Sequence, residues 1–135
     1  MQKIKLTNSY DAERVRRGEL TSDAVRSLEI DALVDTGATT LALPADVAER
    51  LDLTFVDETN VRLADGSLVP TKRVFVELEI LGRDMLTFAF VMPTGTTPLI
   101  GQIPLEELDL VVEPRDQSLR VKHPDGPRGY ILSAA

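Results

Sequence analysis

Apolar residues return at every second position in several segments of this chain, the period of a β-strand with one buried face. Lys3-Ile4-Lys5-Leu6 predicts an opening strand, and the residues from Asn8 to Arg17 are polar and end in a break at Gly18. Residues 25–34, rich in Val, Ile and Leu, predict a strand that runs directly into Asp35-Thr36-Gly37. Leu41-Ala42-Leu43 leads to Pro44, after which Val47 and Leu51 stand four residues apart, so a short helix is expected from Ala45 to Leu51. Val61–Ala64 and Leu68–Ile80 flank Asp65-Gly66, a pair suited to a hairpin turn because glycine accepts positive φ. In the long second arm Val74, Val76, Leu78 and Ile80 alternate with Phe75, Glu77 and Glu79, which marks one wetter face. A strand at Leu86–Met92 and a turn at Pro93–Thr96 come next. Pro98-Leu99-Ile100-Gly101 then leads into a second short helix, Ile103–Leu108, and closing strands are expected at Leu110–Glu113 and Leu119–Val121. Pro124-Asp125-Gly126-Pro127 reads as a turn or loose end before Tyr130-Ile131-Leu132.

The pattern contains an echo. Leu51-Asp52-Leu53 after the first helix returns as Leu108-Asp109-Leu110 after the second, 57 residues on. At that offset Asp35 maps to Met92 and Leu43 to Ile100. Each half reads as strand, Thr/Gly loop, apolar strand, helix and Leu-Asp-Leu, the outline of a duplication in which only the first copy carries an aspartate at the loop.

A chain of 135 residues suits one domain, 1–135, with its core at about 25–121. With 43% hydrophobic and 27% charged residues it has the balance of a soluble globular protein, and with 4% aromatic residues and no Trp its core falls to Val, Leu and Ile. A formal charge of −7 repels phosphate backbones and anionic lipid, so neither nucleic acid nor membrane is expected as a partner. The absence of Cys excludes disulfides, thiolate catalysis and Cys-based metal sites and suits a reducing compartment. There is no apolar run long enough to span a bilayer, and Met1 to Leu6 lacks the apolar region of a signal peptide, so a cytoplasmic location is expected. His123 alone can build neither a His-rich metal site nor more than one position of a catalytic triad.

The strongest chemical signal is Leu33-Val34-Asp35-Thr36-Gly37-Ala38-Thr39. Apolar flanks are expected to bury the turn, Gly37 to let backbone approach backbone, and the Thr36 hydroxyl to hydrogen-bond and lock the loop. A carboxylate in such a turn can meet a second one. Two that close cannot both ionise, so they share a proton and act as acid and base, polarising a carbonyl while activating a water. By contrast, Glu106-Glu107, Asp57-Glu58 and the cluster Arg14, Arg16 and Arg17 read as solvated surface, and His123 as a surface imidazole. No phosphate-cradling glycine loop, nucleophile elbow or calcium loop is present.

In order along the chain come Asp-Thr-Gly-Ala after an aliphatic strand, a Pro-led helix, a Gly-tipped hairpin and Leu99-Ile100-Gly101 before a second helix. From about Val25 to Val121 this set resembles the retropepsin-like aspartic proteases. The resemblance implies a mostly β fold, a small closed β-barrel-like domain with short helices, forming a single-lobe subunit. It implies Asp35 as catalytic residue with Thr36 and Gly37 holding it. The hairpin would be a flap over a peptide or protein substrate, with Ala38, Ala64, Asp65, Gly66 and Ser67 in contact with that substrate. It further implies a homodimer in which two copies of Asp35 form an aspartic endopeptidase site without metal or cofactor. The alternative is a catalytically silent module of the same fold that dimerises or binds peptides. Where retroviral members have an Asp and an Arg forming an ion pair, this chain has Thr39 and Gln102, for which a Thr-Gln hydrogen bond is the expected substitute. The flap tip has no double glycine and carries Asp65, and no pepsin-type flap tyrosine is present.

Overall fold

The alternation read in the long hairpin arm becomes a wall of the core. Val74, Val76, Leu78 and Ile80 are buried, and burying each such side chain contributes about 1.5–3 kcal/mol over leaving it exposed. The structure, a computed structural model, describes residues 1–125. Its strands are β1 (Gln2–Thr7), β2 (Ser27–Val34), β3 (Leu41–Pro44), β4 (Phe55–Arg62), β5 (Leu68–Ile80), β6 (Arg83–Met92), β7 (Leu99–Ile100), β8 (Leu110–Val112) and β9 (Leu119–Val121). Its helices are α1 (Ser9–Arg16), α2 (Ala45–Arg50) and α3 (Gln102–Glu107), with a 3₁₀ turn at Ser22–Ala24. The residues from Gly126 onward, including the Tyr130-Ile131-Leu132 segment, lie outside the described residues.

The strands run in the order β1-β2-β7-β3-β6-β5-β4, and β1 also pairs with β5 between Lys5↔Glu79 and Thr7↔Glu77. That second pairing closes six strands into a ring and leaves β4 outside it on β5. The mostly β, closed architecture with short helices is therefore as expected. Ile4, Leu6, Leu41, Leu43, Ile100 and Leu108 fill the interior, so the core begins within β1. A separate hairpin of β8 and β9 lies beside the ring.

The internal echo is present in three dimensions. Parallel β2 and β7 align Val34 with Ile100, and parallel β3 and β6 align Leu43 with Val91. Each pairing becomes the other under the 57-residue shift, as α2 becomes α3. The antiparallel contact of Ala42 with Leu99 maps onto itself, which places it on the approximate two-fold axis between the halves. The recurring aspartates, Asp52 and Asp109, both take left-handed φ, 49° and 57°. After α2 the Asp52 N–H bonds Glu49 O at 3.0 Å and the Leu53 N–H bonds Ala48 O at 3.1 Å, the two-bond ending that a left-handed residue makes possible.

Where the sequence shows only a polar stretch ending at Gly18, the chain forms α1, capped by Asn8. Its anchor is polar and so leaves no apolar period. The buried Asn8 caps the helix through Oδ1, which accepts the Asp11 N–H at 2.9 Å, while its Nδ2 donates to Leu51 O at 2.8 Å and Asp52 O at 3.0 Å. Asp11, also buried, accepts from the Arg26 backbone N–H, Nε and Nη2 at 2.8–3.0 Å. β4 starts at Phe55, well before Val61, because its pairing with β5 continues to Phe55↔Val74. β6 likewise begins at Arg83, since β5 pairs with it to Ile80↔Arg83. His123 is half-exposed as expected of a surface residue, yet its Nδ1 lies 2.9 Å from the buried Asp109 carboxylate, which ties the end of β9 to the core.

The hydrogen bond from the Arg26 side chain outweighs the opposing effect of burial and lowers the Asp11 pKa from 3.8 to about 2. A folded-state pKa below the unfolded one contributes stability that is complete above about pH 4 and disappears as pH falls through about 2. In urea unfolding across this range, Asp11→Asn is therefore less stable than wild type near neutrality, and the gap narrows steadily between pH 4 and pH 2.

Candidate active site

Asp35 stands one residue past β2, where its N–H still donates to Ile100 O at 2.9 Å and so extends the pairing with β7. The chain then turns back on itself. Asp35 Oδ1 accepts the Gly37 N–H at 2.9 Å, and Asp35 O accepts the Ala38 N–H at 3.0 Å, an Asx-type turn that fixes the carboxylate by its own backbone. Gly37 suits this fold, since a Cβ there would stand only 3.2 Å from Asp35 Oδ1.

The second half of the fold supports the loop from below. A Cβ on Gly101 would lie 2.5 Å from Ala38 O and 2.6 Å from both Thr40 N and Thr40 O, so backbone meets backbone directly. From this platform the Gln102 N–H donates to Ala38 O and the Ile103 N–H to Thr39 O, both at 2.9 Å. The first donors of α3, which have no partner within a helix, thereby take up the loop carbonyls. Leu99-Ile100-Gly101 therefore packs directly against the aspartate loop.

Asp35, Gly37, Ala38, Thr39 and Thr40 form one wall of a groove of about 450 Å³. Val61, Arg62, Leu63 and Ala64 from the β4–β5 hairpin form the other, with Ala42, Phe90, Met92 and Leu99 between them. Asp35 is half-buried and is the only carboxylate on this groove among the described residues. Of the residues expected in the site, Asp35, Gly37, Ala38 and Ala64 come together here. Asp65, Gly66 and Ser67 instead make the hairpin tip beyond the wall. Gly66 takes φ 88° and its N–H closes the turn to Leu63 O at 2.9 Å. The Asp65 carboxylate accepts the Ser67 hydroxyl at 2.6 Å and the Ser67 N–H at 2.9 Å, bonds that hold its pKa below the usual value.

Two expectations fail within a single chain. Thr36 and Gly37 are exposed, and the Thr36 hydroxyl makes no hydrogen bond among the described residues, because none of those residues covers the loop. Nor do the side chains of Thr39 and Gln102 bond each other. Both are exposed, and it is the Gln102 backbone that reaches the loop. Sequence reading also passed over Phe90, Met92 and Leu99 as groove residues. The 57-residue shift was the available signal for Met92, since it pairs that residue with Asp35.

With this geometry in place, the comparisons assign a class. The profile of the aspartyl protease family matches residues 22–112, about two thirds of the chain, and the chain belongs to that family. Among solved structures it is similar to that of EIAV protease complexed with the inhibitor HBY-793, with 25% identity over 59% of this chain and 77% of that one, and a TM-score of 0.49. No curated protein matches the chain. Among the described residues, no helix is long and apolar enough to cross a membrane.

Gly101→Ala forces a methyl group into backbone atoms that cannot rotate away. The variant should lose about 3 kcal/mol or more of stability, read as a fall in the urea midpoint, whereas Gly18→Ala, whose Cβ meets nothing within 4 Å, should lose only the smaller amount due to its φ of 74°.

Proposed function

We propose that the chain is the subunit of a homodimeric aspartic endopeptidase, with Asp35 as its catalytic residue. The observation that carries the proposal is the half-buried Asp35 carboxylate. It is fixed through one oxygen by the Gly37 N–H and faces a groove of about 450 Å³ whose opposite wall is the β4–β5 hairpin. Membership of the aspartyl protease family supports the same reading. Since the groove holds one carboxylate, the second comes from another copy, and a two-fold axis beside Asp35 brings the identical groups together. The exposed Thr36 and Gly37 are then the contact between subunits, which supplies the cover that the described residues of one copy do not give.

In the dimer the two Asp35 carboxyls share one proton. The charged member takes a proton from a water as it attacks the peptide carbonyl, and the protonated member donates to the carbonyl oxygen. Thr36 and Gly37 position the pair. Ala38 and Ala64 border the substrate, while the tip residues Asp65, Gly66 and Ser67 shape the hairpin that closes over it.

Asp35→Asn should lower peptide cleavage by roughly 10²–10⁴-fold or more while preserving the thermal transition. Sedimentation of wild type should show a dimer at concentrations where cleavage is seen. Full cleavage by purified Asp35→Asn protein, or by a strictly monomeric species, would overturn the assignment.

A further inference from the structure

The outer face of β5 and β6 differs from the wetter surface its alternation predicts. Phe75 and Phe88 lie side by side there with ring centroids 5.3 Å apart, and Leu86 and Phe88 are exposed, 57% and 39% respectively. With Ile103 of α3, itself 49% exposed, they line a mostly apolar groove of about 470 Å³. Scattered apolar residues are ordinary on a surface, but a contiguous concave set marks a binding face, and this volume falls within the roughly 300–1,000 Å³ typical of ligand sites.

The new groove is continuous with the one at Asp35, because Thr39, Thr40 and Phe90 line both. Its one cation is already paired. Arg73 donates through Nε and Nη2 to Asp57 on the facing strand, at 2.7 and 2.6 Å, while its guanidinium stacks 4.5 Å from the Phe88 ring centre. The Asp57 carboxylate, held below its usual pKa by that arginine, keeps the pair charged through the neutral range. An acidic group entering here therefore meets a guanidinium whose charge is already balanced, whereas an apolar side chain meets aromatic and aliphatic walls.

We infer that this groove is a distal subsite that receives a large aliphatic or aromatic side chain of the peptide substrate, beyond the residues next to the cleaved bond. The inference rests on the proposed endopeptidase function and adds a substrate preference to it. Side chains of an extended peptide alternate in direction, so a strand lying in the Asp35 groove can turn one residue over Thr39 and Thr40 into the second groove. A second copy of the chain is a poorer occupant, since a stable interface buries about 800 Å² on each partner and this concavity accommodates little more than a side chain. Each subunit of a dimer brings one such groove. The preference therefore falls at matched positions on both sides of the cut.

The test is digestion of a peptide mixture prepared from a cell proteome, with cleavage sites read by mass spectrometry and Asp35→Asn as the blank. Wild type should enrich Phe, Leu, Ile or Met about fivefold or more at one position beyond the neighbours of the cut, on both sides. The double variant Leu86→Ser with Phe88→Ser should lose that enrichment and keep the selectivity adjacent to the cut, while Phe88→Leu, which leaves the face apolar, retains it. Asp35-dependent cleavage with no distal preference, or with one unchanged in the double variant, overturns the inference and leaves the proposed function standing. Loss of the dimer in the double variant assigns the face to self-association and overturns it too. Absence of Asp35-dependent cleavage removes the proposed function and this inference with it.

Discussion

The backbone of Gly101 presses on the backbone of Ala38 and Thr40 with no room for one more carbon, and the rest of the site depends on that contact. It lets β7 continue its pairing as far as Asp35, and it puts the first N–H groups of α3 within reach of the Ala38 and Thr39 carbonyls. Apart from the Asp35 carboxylate, which accepts the Gly37 N–H, the loop is held through backbone atoms. Its geometry is set by a segment far along the sequence, and any bulk at that crossing would move the carboxylate as well as destabilise the ring.

Strands carry their identity in local periodicity, which is why the alternation in β5, the apolar runs of β2 and β6 and the Val47/Leu51 spacing of α2 were legible from the sequence. Asp35 was legible because its triplet imposes a turn that can be written in local terms. α1 was not, since its anchors are a buried Asn8 that bonds the end of α2 and a buried Asp11 that bonds Arg26, partners whose positions only the finished fold supplies. For the same reason the groove residues Phe90, Met92 and Leu99 stayed hidden. Nothing in their own neighbourhoods distinguishes a groove floor from an ordinary core face.

The β4–β5 hairpin combines a fixed base with a free end. At its base Arg73 and Asp57 form a two-bond ion pair across the strands, and β5 is held by β6 as far as Arg73↔Phe90. Beyond that point β5 has only β4 beside it, and residues 64–70 are all exposed. Few buried contacts and solvent-facing ladder bonds put a segment at the low end of local stability. The tip nevertheless keeps its shape, because Ser67 donates twice to the Asp65 carboxylate and the Gly66 N–H donates to Leu63 O. In the proposed endopeptidase an arm with a fixed base and a shaped tip would serve as the lid that admits a peptide and then covers it.

The fold contains its own approximate two-fold axis, at Ala42 and Leu99, and that axis could in principle have supplied a second acid within one chain. It does not, because the residue related to Asp35 is Met92, an apolar side chain on the same groove. A methionine can neither share a proton nor activate water, so the internal symmetry builds the barrel and contributes nothing to the chemistry. What remains open among the described residues is the outward side of the Asp35 loop, where Thr36 and Gly37 are exposed and the Thr36 hydroxyl makes no bond to any of them. In the proposed dimer an external two-fold axis runs beside that uncovered edge. That axis would supply in one step the cover, a partner for the hydroxyl and the second carboxylate, none of which the second half of the fold provides at this loop among the described residues.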